Sequence, residues 1–112
     1  MTRNLILAVT ALAVCITGCR SPRIDVTIEN HTGAPVELLE VAYPSASFGV
    51  GRLDTDAVYR YRIQIRGSGS IHLQYNEPVM HLQRQISGPT LTENQSGALR
   101  IQLRPGGRAD FR

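Results

Sequence analysis

The chain has 112 residues, 42% of them hydrophobic, and twelve basic side chains against nine acidic ones give it a formal net charge of +3. That length suits one domain around one core, and so mild a positive excess gives no argument for nucleic acid as a partner. All twelve basic residues are arginine; the two cysteines, Cys15 and Cys19, both lie near the start, so the remainder has neither a disulfide nor a cysteine-ligated metal available to it.

In chain order, Met1-Thr2-Arg3-Asn4 carries one cation, and nothing from Leu5 to Val14 is more polar than Thr10. This is the pattern of a signal peptide, a charged start followed by an apolar stretch. The stretch is well short of the roughly 20 apolar residues that a membrane-crossing helix requires. It leads into Ile16-Thr17-Gly18-Cys19, which resembles the lipobox of bacterial lipoproteins. The resemblance implies cleavage between Gly18 and Cys19, a diacylglyceryl thioether on Cys19 and acylation of the new amino group. Cys15 fits less well, because the β-branched Val14 precedes it. Arg20 stands where an aspartate would resemble an inner-membrane retention signal, which favours the outer membrane, facing the periplasm, in a Gram-negative cell. The expected organisation is a leader at 1–18, a lipidated tether at 19–22 and a β-sandwich domain at 23–112.

From Arg23 onward, apolar and polar residues alternate with the period of a half-buried strand. Ile24, Val26 and Ile28 define a first strand, and Asn30-His31-Thr32-Gly33 supplies turn residues. Val36 to Tyr43 reads as a second strand whose apolar phase switches between Leu38 and Leu39, so it has either a β-bulge or cover on both faces. Val58 to Arg66 and Ile71 to Asn76 read as a hairpin around Gly67-Ser68-Gly69-Ser70, pairing Ile65 with Ile71, Ile63 with Leu73 and Tyr61 with Tyr75. Met80, Leu82 and Ile86 mark a further strand, closed by Gly88-Pro89. Leu99, Ile101 and Leu103 mark another, and Pro105-Gly106-Gly107 turns into a short last strand ending at Phe111. The expected fold is all-β: an immunoglobulin-like or transthyretin-like antiparallel sandwich of about seven short strands. The run from Val26-Thr27-Ile28-Glu29-Asn30 through Ser47-Phe48-Gly49 to Gln64-Ile65-Arg66-Gly67-Ser68-Gly69 resembles small uncharacterised exported bacterial domains, a resemblance that implies no activity.

No spaced signature of a nucleophile, base and orienting group is present, so no catalytic residue is assigned. His72 and His81 fall on consecutive strands, but a zinc site needs three or four ligands, and neither a metal nor a cofactor is expected. Two surfaces remain. Ser47, Phe48 and Gly49, among small residues, suit a recognition loop at one end of the sandwich, although Phe48 also suits the core. The polar face of the expected hairpin carries Arg60, Arg62, Arg66 and His72 with no carboxylate, a set suited to anionic headgroups, an anionic envelope polymer or an acidic envelope protein. The expectation is a lipid-anchored, non-enzymatic binding or structural module of the cell envelope. The alternatives are a small envelope enzyme or its accessory subunit, and an assembly factor that pairs through a sheet edge.

Overall fold

The computed structural model describes residues 21–112; the expected leader, the cleavage site at Gly18 and Cys19 itself lie outside the described residues. The fold is a β-sandwich of eight strands: β1 (Ile24–Asn30), β2 (Val36–Tyr43), β3 (Ala46–Leu53), β4 (Val58–Ile63), β5 (Gly69–Glu77), β6 (Leu82–Leu91), β7 (Gly97–Arg104) and β8 (Arg108–Phe111). Sheet A has the order β4-β1-β7-β8 and sheet B the order β3-β2-β5-β6. All pairs are antiparallel except β1 with β7, which is parallel. An immunoglobulin-type domain keeps its first and second strands in one sheet. Here β1 and β2 are in different sheets, which leaves the transthyretin-like alternative.

The inward positions are those the alternation marks. Ile24, Val26 and Ile28 of β1 and Leu99, Ile101 and Leu103 of β7 face Val41, Ile71, Leu73 and Tyr75 of sheet B, all buried. Burial of each such side chain contributes about 1.5–3 kcal/mol. The phase switch in β2 is a bulge: pairing with β5 slips between Glu37 and Glu40. Leu38 takes a positive φ of 49° and points out, 67% exposed, so that Leu39 returns to the core.

The expected hairpin does not form. β4 pairs with β1, and β5 pairs with β2 and β6, so Gly67-Ser68-Gly69-Ser70 carries the chain from one sheet to the other. Ile63 and Ile65 still share a core with Ile71 and Leu73, but they meet across the sandwich instead of side by side. Alternation specifies an inward face, and strands facing each other across a core satisfy it as well as neighbours do. The expected recognition loop is likewise strand β3, the element absent from a count of seven. β6 also runs on through Gly88-Pro89 to Leu91. It is the edge of sheet B, where the missing N–H of Pro89 breaks no ladder and the register shift opposite Ser70 and His72 absorbs the extra residue. Met80 is outside this strand, in the turn before it.

The two phenylalanines close the two open flanks. At the β3/β4 flank, Phe48 is 8% exposed and stacks 4.4 Å from Tyr61 and 6.3 Å from Tyr59 between ring centroids. At the β6/β8 flank, Phe111 lies so close to Gly88 that an added Cβ there would come within 2.6 Å of its ring and of the Ile71 side chain. The far end is tied by Asn30, which is fully buried. Its Nδ2 donates to the carbonyls of Ala34 (2.8 Å), Leu53 (2.9 Å) and Asp54 (3.2 Å), and its Oδ1 accepts from the backbone N and the hydroxyl of Thr32.

Two substitutions check this packing. Gly88→Ala is expected to destabilise the domain by about 1–3 kcal/mol, a loss of several degrees in Tm, because its methyl has no space. Tyr75→Phe is expected to leave the Tm unchanged or raised, because the buried Tyr75 hydroxyl has no hydrogen-bond partner among the described residues and removing an unpaired polar group costs nothing. Thermal denaturation by circular dichroism measures both.

Candidate binding surfaces

Residues paired across strands share a face, so register decides which charges meet. In sheet A, Asp25 is opposite Arg62 and Thr27 is opposite Arg60. On the other side of β1, Thr27 is opposite Arg100 and Glu29 opposite Gln102. Gln102 in turn meets Asp110, and Arg104 meets Arg108. The register continues to Arg112, which exchanges backbone hydrogen bonds with Arg100 at 3.0 and 2.9 Å. The outer face of sheet A thus carries Arg60, Arg62, Arg100, Arg104, Arg108 and Arg112 against Asp25, Glu29 and Asp110.

The expected four-residue anionic-ligand face is divided by this arrangement. Arg60 and Arg62 belong to it, and Arg62 is neutralised by Asp25, with Nε donating to Oδ1 at 2.7 Å. Arg66 lies beyond β4, where its backbone N donates to Ser45 Oγ at 3.3 Å. His72 is on the outer face of sheet B, where its Nδ1 is 3.1 Å from Ser87 Oγ. A place beside the arginines requires β5 to pair with β4, whereas β5 pairs with β2 and β6. The other four arginines of this face join it through the pairing of β7 with β1 and β8. Arg100 and Arg104 alternate visibly with the apolar residues of β7, but nothing local says that the end of the chain returns to flank its beginning.

The outer face of sheet B has a different character. Glu40, His72, Gln74, Gln85 and Ser87 line an open groove of about 400 Å³, dominated by amides and hydroxyls. His81 is in the turn before β6, six residues before Ser87, the partner of His72, or roughly 20 Å of strand at 3.3 Å per residue. Among the described residues, no three His, Cys, Asp or Glu side chains are grouped to hold a metal. Ser47 and Gly49 point outward from β3 beside the buried Phe48.

One cluster on sheet A is tightly organised. The Glu29 carboxylate sits at the end of β1, 8% exposed, under a two-pronged contact from the Arg100 guanidinium, whose Nη2 is 2.9 Å from Oε1 and whose Nε reaches Oε2. His31 Nε2 donates to the same Oε1 at 2.8 Å, and its Nδ1 lies 3.6 Å from Asp56. Hydrogen bonds from Arg100 first, and then from His31, hold the Glu29 pKa down at about 2. The cluster fastens the start of the chain to β7, and every acid and histidine in it is engaged.

No protein-family model, curated protein or solved structure matches this chain. Its functional reading therefore rests on the residues themselves.

Because the Glu29 pKa is depressed in the folded state, its stabilising effect is complete above its ordinary value of 4.5 and is lost as the pH falls toward 2. Glu29→Gln is expected to lower the Tm at neutral pH and to flatten the decline in Tm across that acid window. A Tm-against-pH profile parallel to that of the wild type would show that Glu29 carries no such linkage.

Proposed function

We propose that the chain is a lipid-anchored, non-enzymatic module of the cell envelope that acts by contact close to its membrane. In a Gram-negative cell its place is the periplasmic face of the outer membrane. One observation carries the reading: the folded domain begins almost immediately after Cys19. Ile24 is already buried, 2% exposed, and the Arg23 carbonyl accepts from Gly97 N. From Cys19 to Arg23 there are four residue steps, at most about 14 Å of extended chain. A lipid on Cys19 holds the sandwich against the bilayer surface with no long linker to reach elsewhere. The Ile16-Thr17-Gly18-Cys19 motif at the end of the apolar leader supports the lipid itself.

A second reading, assembly through a sheet edge, has one feature in its favour. β3 is an edge strand of eight residues without lysine or proline, and its outward Gly49 and Gly51 leave the backbone bare. Such an edge accepts an added strand.

Expression of the full chain in a bacterium that processes lipoproteins tests the main reading. The wild type is expected in the membrane fraction with a fatty-acylated Cys19 at its amino terminus. Cys19→Ser is expected to abolish lipid labelling and normal cleavage. Mass spectrometry of an unmodified mature amino terminus in the wild type would overturn it.

A further inference from the structure

We propose that the outer face of sheet A is a docking surface for anionic phospholipid headgroups, on which the domain lies flat beside its own anchor. This rests on the lipid-anchored reading above. The first support is charge. Six arginines face three carboxylates on this surface, and each carboxylate is taken by one arginine: Asp25 by Arg62, Glu29 by Arg100 and Asp110 by Arg104. Among the described residues, Arg60, Arg108 and Arg112 have no side-chain carboxylate within 4.0 Å. The opposite face offers Glu37 and Glu40 against Arg52, amid amides and hydroxyls, so the positive excess belongs to one side of the sandwich.

The second support is the position of the tether. The chain enters through Arg23 into β1, an inner strand of sheet A, so the anchor leaves from within the basic sheet and not from a distant loop. The arginines run the length of that sheet: Arg62 lies near the entry, opposite the second residue of β1, and Arg104 and Arg108 lie at the far end. With about 14 Å of tether, the sheet can lie parallel to the bilayer with its cations near the headgroups. There, attraction acts within a screening length of about 8 Å. The planar guanidinium fork matches phosphate oxygens two at a time, and a basic patch is the usual reinforcement of a lipid chain that binds weakly alone.

The test uses the lipidated mature product, which begins at Cys19, reconstituted on vesicles of phosphatidylcholine alone or mixed equally with phosphatidylglycerol. Because the sulfur of Cys19 is in the thioether, a single introduced cysteine takes a dye specifically. Thr27→Cys labels the outer face of sheet A and Gln85→Cys that of sheet B, and a quencher in the headgroup layer reads proximity. The dye at 27 is expected to be quenched on the anionic vesicles and released at about 1 M salt, where screening shortens to about 3 Å; the dye at 85 stays unquenched. Combined Arg60→Gln, Arg108→Gln and Arg112→Gln substitution, which spares the three ion pairs, is expected to abolish the quenching without changing the Tm. Flotation with neutral vesicles reports the anchor alone, and its loss would overturn the anchored reading. Flotation with equal quenching at 27 on both vesicle types, or quenching that survives the triple substitution, would overturn the docking surface. Shielding of position 27 by soluble heparin but not by anionic vesicles would also overturn it, in favour of a polymer.

Discussion

The parallel pairing of β1 with β7 is the contact from which the rest of the molecule follows. It joins the beginning of the domain to its end, completes sheet A as a layer with two inner strands, and sets the rows of polar side chains from β4, β1, β7 and β8 in one plane. Without it Glu29 would keep only its local partner His31, and Arg100 would belong to a remote segment. With it, both become a forked ion pair reinforced by His31. An acid so buried is tolerated because its hydrogen bonds replace those it loses to water.

Much of the fold was legible in the sequence because burial leaves a period-two trace. Ile24-Val26-Ile28, Leu99-Ile101-Leu103 and the switch at Leu38 each correspond to what the chain does. Partnership was not legible. Tyr61, Ile63 and Ile65 have the same alternation whether their neighbour is beside them or opposite, and the glycine-serine segment suits a tight turn and a crossing between sheets equally. β3 escaped recognition for a local reason. Its outward positions hold Ser47, Gly49 and Gly51, residues that weaken strand propensity, and of its buried residues Phe48, Val50 and Leu53 only the first two keep the two-residue spacing.

The basic surface shows the same division between local and remote information. Arg60 and Arg62 were identified from spacing alone, since side chains two apart on a strand share a face. Arg100, Arg104, Arg108 and Arg112 could be added only through the register of β7 and β8. His72 left the set, because its strand belongs to the other sheet. Asn30, read as a turn residue, proves to be a buried hub whose amide joins the loop after β1 to the turn after β3. A lone asparagine at a strand end gives no sign of such long-range partners.

The position of Phe111 has a kinetic consequence. The side chain that closes the β6/β8 flank and the strand β7 beside β1, which begins only at Gly97, both come long after Ile24, where β1 begins. A chain delivered amino terminus first can pair β1 with β4 and β2 with β3 and β5 early, while β1 waits for its second neighbour, β7. Contacts between residues so far apart in sequence also carry a large loop-closure cost and form slowly. Until β7 and β8 arrive, sheet A lacks half of its strands and the core is open along one flank, so the apolar face of sheet B stays uncovered.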